Sequence, residues 1–148
     1  DPRLCGLVTI APHFFTEEIG LREIAAAKHA CDCGDLRSRL ARYHDDPDNC
    51  FRGWNDVWLD PEFRDWDVSE MLDDIRVPVL AIQGADDQYG SLAQIDELAR
   101  RCRAPVERVV LAGCRHDPCY ERPDRVLNDL TRFCATLDAA RRVPGVAF

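Results

Sequence analysis

The chain has 148 residues, 46% of them hydrophobic, which is enough for one compact domain with a core of its own. Its net charge of −8 excludes nucleic acid held by phosphate neutralisation, and it leaves no polybasic patch for an anionic membrane surface. The longest apolar runs, Val77 to Ile82 and Val109 to Ala112, fall far short of the roughly 20 residues of a membrane-spanning helix, so a soluble protein with a small or neutral substrate is expected.

In chain order, Leu4 to Ala11 (LCGLVTIA) is apolar with β-branched residues and predicts a strand buried on both faces of a parallel sheet, ended by Pro12. From His13 to Ile75 the texture changes to amphipathic stretches, Ile19 to Ala30 and Leu36 to Tyr43. The passage from Asp45 to Asn49 is rich in capping residues, and Pro61 and the run from Trp66 to Ser69 mark further helix boundaries. This pattern predicts a helical insertion over residues 13–75. Within its FRGWNDVWL passage, Phe51, Trp54 and Trp58 fall on one helix face. They are expected to build the insertion's core and, as candidate substrate-binding residues, an apolar pocket wall.

A core over residues 76–140 follows. Val77 to Ile82 (VPVLAI) predicts a second strand that stops at Gln83 and Gly84, and Val106 to Leu111 (VERVVL) a third that stops at Ala112 and Gly113. Between them, Ser91 to Arg103 places Leu92, Ile95, Leu98, Ala99 and Cys102 at helical spacing, and Pro123 to Leu137 repeats the pattern before a tail, from Arg141, that is expected to fray. Strand, helix, strand in this order makes a right-handed parallel crossover. The fold class expected for residues 1–148 is therefore a single α/β domain: three parallel strands with flanking helices and a helical insertion.

Eight cysteines suit free thiols in a reducing, cytoplasmic setting better than disulfides or zinc. Cys31 and Cys33 form C-x-C, Cys114 and Cys119 flank His116, and neither spacing matches the paired C-x-x-C blocks of a structural zinc site. No metal is expected.

Function in open parallel sheets collects beyond the carboxyl ends of the strands. Gly84-Ala85-Asp86-Asp87 follows the second strand there, and Gly113-Cys114-Arg115-His116 follows the third. An acid after one strand and a histidine after the next is a general-base arrangement. Either Asp86 or Asp87 satisfies it by position. Of the remaining histidines, His29 and His44 lie in the insertion, and His13 follows the first strand, where packing at the strand end is the expected role rather than substrate contact.

The stretches VPVLAIQGADDQYG, LAGCRHDPCYERP and LCGLVTIAPHF resemble the G-x-x-D acid turn, the histidine loop and the sixth strand of the α/β-hydrolase superfamily. The insertion falls where that family carries its lid. The resemblance covers essentially the whole chain as the family's carboxyl-terminal half and implies Asp87 as catalytic acid, His116 as catalytic histidine and no cofactor. Arg115 departs from the glycine usual before the histidine, so crowding of the site or a lowered imidazole pKa is expected. The family's nucleophile turn, G-x-S-x-G, is absent: Ser38, Ser69 and Ser91 are the only serines, and none lies between suitably spaced glycines. By the family layout that turn belongs upstream of Asp1.

The function implied is hydrolysis of a small ester or related substrate by a nucleophile-His-Asp triad whose nucleophile half is missing here. The alternative is a truncated, inactive remnant that binds a ligand or a partner. Either way, the first strand is left with an unpaired apolar edge, and self-association through it is expected.

Overall fold

The computed structural model describes residues 3–141, in which three parallel strands follow one another across a single sheet in chain order. Strand β1 (Leu7–Ile10) pairs with β2 (Val79–Gly84), and β2 pairs with β3 (Val106–Leu111). The central strand β2 is buried at every position, as its near-continuous apolar sequence requires of a strand covered on both faces.

Alternation along β2 sorts its side chains into two cores. Leu80 and Ile82 join Val109, Leu111, Val126, Phe133 and Leu137 beneath the last helix, α6 (Pro123–Arg141). Val79 and Ala81 join Leu72, Ile95 and Leu98 on the opposite face, beneath the crossover helix Ala93–Arg101.

Several strand limits differ from those predicted. Strand β1 begins at Leu7, the first residue with a register partner, Val79, and Leu4 before it is exposed. It ends at Ile10 because Ala11 takes a φ of 46°, a left-handed conformation that turns the chain out of the sheet. Its residues are half-buried rather than buried on both faces, because among the described residues it has a neighbour on one side only. Strand β2 starts two residues later than expected, since Pro78 has no N–H for the ladder. It also runs through Gln83 and Gly84, which pair with Val110 and Leu111. The limits of β3 are those predicted.

Between β1 and β2 lie helices α1 (Glu18–Cys33), α2 (Leu36–Leu40) and α3 (Pro47–Trp58), then two 3₁₀ turns at Pro61–Phe63 and Ser69–Asp74. The Asp46 carboxylate accepts the Asn49 N–H at 3.0 Å and caps α3, with Pro47 in its first turn. Pro47, Phe51 and Asn55, four residues apart, form the buried stripe of α3. Asn55 reaches across to α1, its Nδ2 donating to the Ile24 carbonyl at 2.8 Å. The Asp67 carboxylate accepts the Ser69 N–H at 2.7 Å and opens the second 3₁₀ turn. Helix α2 stops short of the expected Tyr43, which is exposed.

After β2 come α4 (Ala93–Arg101), β3, a one-turn helix α5 (Pro118–Glu121) and α6. Helix α4 begins at Ala93 rather than Ser91, whose hydroxyl accepts the Ala93 N–H at 3.2 Å. Helix α6 continues past the expected Leu137 to Arg141, and the tail expected to fray lies, beyond that residue, outside the described residues. All eight cysteines are unpaired. No helix of the described residues is long and apolar enough to cross a membrane.

Candidate active site

The turn after β2 and the loop after β3 are built as one unit. A side chain at Gly84 would place its Cβ 2.1 Å from the Arg115 carbonyl oxygen and 2.3 Å from that of Cys114, so glycine is what lets the two segments touch. Backbone bonds then stitch them together: Ala85 N–H donates to the Leu111 carbonyl at 2.9 Å and Asp86 N–H to the Cys114 carbonyl at 3.0 Å. Gly113, with a φ of 63°, turns the chain at the end of β3 toward His116.

Within that unit Asp87 is 5% exposed, whereas Asp86 is exposed to solvent. The Asp87 Oδ1 accepts the Tyr89 N–H at 2.8 Å and the Gly90 N–H at 3.2 Å, and Oδ2 accepts Gln83 Nε2 at 2.6 Å. His116 Nδ1 lies 2.9 Å from Oδ2 and 3.0 Å from Oδ1. Burial by itself would raise the Asp87 carboxyl pKa. The hydrogen bond from His116, the Tyr89 N–H, the charge of an imidazolium and the Gly90 N–H outweigh it, so the net shift is downward and the group is ionised at neutral pH. A carboxylate only accepts, so Nδ1 carries the proton and Nε2 is left as the imidazole's free acceptor.

Gln83 went unnoticed in the sequence because it reads as the end of an apolar strand. It is fully buried, and its Nε2 also donates to the Gly90 carbonyl at 2.9 Å. Its Oε1 is buried without a partner. The reverse amide orientation would set that oxygen against two acceptors, which fixes Nε2 toward Asp87.

His116 opens onto a cavity of about 300 Å³ between the sheet edge and the helical segment. Leu21 and Ile24 of α1, Trp54 and Trp58 of α3, and Tyr89 form its apolar wall. Tyr89 meets the His116 ring edge-on at 4.9 Å, and Trp58 is held in place by Phe63 at 5.2 Å and Trp66 at 5.8 Å. Of the three rings singled out on one helix face, Trp54 and Trp58 line this cavity. Phe51 is buried beneath, edge-on to Trp54 at 5.8 Å, and does not. No serine or cysteine is among the lining residues.

His13, expected to pack at the strand end, does line the cavity, its ring 5.5 Å from that of His116 and 5.3 Å from Trp58. Burial, then the neighbouring His116, lowers its pKa against the smaller raising effects of Asp87 and Glu17. Glu17, also at the lining, is a structural staple. It accepts the Ser91 N–H at 2.9 Å, the Ser91 hydroxyl at 2.6 Å and Gln94 Nε2 at 2.7 Å, joining the start of α1 to the start of α4. Arg115 does not crowd the site: it is exposed and donates from Nε to Gln88 Oε1 at 3.1 Å. Among the described residues, no group of three or more His, Cys, Asp or Glu side chains is placed to hold a metal ion.

A histidine that lines an apolar cavity and is backed by an ionised, fully hydrogen-bonded carboxylate can accept a proton from a hydroxyl nucleophile, and the carboxylate can hold the resulting imidazolium. No protein-family model and no curated protein matches the sequence. Solved structures do match. Esterase RhEst1 from Rhodococcus sp. ECU1013 is 17% identical with a TM-score of 0.60, over 90% of this chain and 56% of that one. A serine hydrolase involved in carbazole degradation, the CarC enzyme, is 16% identical with a TM-score of 0.64, over 90% and 55% of the two chains. E-2-(Acetamidomethylene)succinate hydrolase is 19% identical with a TM-score of 0.57, over 89% and 58%. The chain thus spans little more than half the length of these proteins, and at such identities the likeness is one of fold. The protein has the α/β-hydrolase fold, of which this chain forms the carboxyl-terminal half.

Proposed function

We propose that the chain supplies the acid and histidine of a lid-bearing α/β-hydrolase that cleaves a small ester or related acyl compound. The observation that carries this reading is the buried Asp87 carboxylate on His116 Nδ1 at 2.9 Å, with His116 lining an apolar cavity. A serine carried by a preceding segment would attack the substrate carbonyl. His116 Nε2 would take its proton and return it to the leaving group, while Asp87 stabilises the imidazolium in between. The segment from α1 to α3 serves as the lid, with Trp54 and Trp58 against the substrate.

The preceding segment pairs with the free edge of β1 in this reading, and the chain without it self-associates through that edge. Sedimentation velocity tests the second point, and a clean monomer at micromolar concentration counts against it. The alternative, an inactive remnant that binds a ligand or a partner, draws on the absence of G-x-S-x-G from the sequence. Expressing the complete reading frame and assaying p-nitrophenyl acetate separates the two. Hydrolysis with covalent labelling by a fluorophosphonate supports the enzyme, and a folded protein with neither activity nor label supports the remnant.

A further inference from the structure

Two imidazoles share the cavity, and they differ in how they are held. His116 is tied to Asp87, while His13 has no hydrogen-bond partner on either ring nitrogen among the described residues. Its position is nevertheless enforced. The left-handed turn at Ala11 directs the chain toward the cavity, Trp58 meets the ring edge-on, and Gly90 makes room for it, since a Cβ there would lie 2.9 Å from His13 Cε1. An oriented imidazole without a protein partner takes its hydrogen bonds from solvent water. A substrate that displaces that water either replaces its hydrogen bond or leaves a buried polar group unpaired.

We infer that His13 is a specificity-determining residue that hydrogen-bonds a second, neutral oxygen of the substrate, so that the cavity prefers esters bearing a β-hydroxyl or β-keto oxygen over their plain alkyl isosteres. The inference rests on the esterase reading above. The ring separation of 5.5 Å lets one ligand engage both imidazoles through oxygens on the first and third carbons of a short chain. The charged groups around His13 argue for a neutral oxygen rather than a carboxylate. Asp87 and Glu17 are both acidic, and no lysine or arginine lines the cavity. Glu17 itself is occupied by Ser91 and Gln94, and the Thr16 hydroxyl donates to the Phe63 carbonyl at 3.3 Å.

The test is a titration of the chain with ethyl 3-hydroxybutyrate and with ethyl 3-methylbutanoate, in which a methyl replaces the hydroxyl, followed through the histidine ring signals by NMR. The hydroxy ester is expected to bind about three- to tenfold more tightly, the worth of one net hydrogen bond, and to shift both His13 and His116. His13→Leu is expected to abolish the ratio. His13→Gln, which keeps a donor and an acceptor, is expected to retain most of it and guards against a mere packing defect. Equal affinity for the two esters in the wild-type chain, or a ratio that survives His13→Leu, overturns the inference and leaves the esterase reading standing if the His116 signals still move. If neither ester moves the His13 or His116 signals, the inference falls, while the hydrolase reading is decided by the assay of the complete reading frame.

Discussion

The sheet and the helical segment between β1 and β2 solve different problems with different materials. Strand β2 is buried throughout, and the two chemical residues hang from its end and from the end of β3, cross-stitched by backbone hydrogen bonds. Helices α1 to α3 bury one narrow stripe each at most: Gly20, Ile24 and Cys31 in α1, Pro47, Phe51 and Asn55 in α3, and nothing in α2. The acid and histidine therefore sit on the stiff part of the molecule, and the cavity wall on the part with least to hold it. Geometry that must be kept to fractions of an ångström belongs on the first, and a wall that has to admit a substrate belongs on the second.

The largest test of this contrast is chemical. If the chain works as proposed, Asp87→Asn is expected to lower kcat by about 10⁴-fold through the wrong imidazole tautomer, whereas Trp54→Ala in the cavity wall is expected to act mainly on KM. Steady-state kinetics on the two variants checks this, and comparable losses of kcat would erase the distinction.

Stability should show the same division. Leu80→Ala in β2, fully buried, is expected to cost about 2–5 kcal/mol, against about 1 kcal/mol or less for the half-buried Leu21→Ala in α1, read from urea denaturation midpoints. Similar costs for both would mean that the helical segment is as tightly built as the sheet.

Gly84→Ala addresses the seam between acid turn and histidine loop. With two carbonyl oxygens within 2.3 Å of the new methyl, the loop has to move, at a cost of about 1–3 kcal/mol, and the His116 ring signals should shift although no side chain at the site has changed.

The smallest effect expected is a pH dependence. His13 has a folded pKa below the ordinary 6.5, so the unfolded chain takes up its proton first as pH falls. Stability from this group is fully present above pH 6.5 and is lost as pH drops toward the folded pKa. Asp87, also lowered, acts in the same direction at lower pH: its contribution is present above its ordinary 3.8 and is lost as pH falls through the folded value. Thermal denaturation between pH 7 and 5 should show a shallower decline in His13→Leu than in the wild-type chain, and parallel curves would remove His13 from the account.

What could be read from the chain alone was local. An apolar run ending in Gly84 or Gly113 marks a strand and the turn beyond it, and an acid and a histidine at those two turns mark a general-base pair, because each signal is complete within a few residues. The preference for Asp87 over Asp86 rested on resemblance to a motif; what the sequence could not show is that Asp87 turns inward to four donors while its neighbour faces water. Residues whose role depends on partners far along the chain were not legible. Gln83 matters because the carboxylate of Asp87 curls back over it. Phe51 and Trp54 share one helix face in the sequence, yet Phe51 is buried while Trp54 lines the cavity, a difference set by which neighbours meet each ring. His13 became a cavity residue only once α3 and the acid turn closed around it from 45 and 77 residues away, counted from Trp58 and Gly90. Sequence determined which groups could do chemistry and which strands would carry them. Tertiary structure alone decided what surrounds them, because burial, hydrogen-bond supply and close approach are properties of neighbours in space that no short window of residues contains.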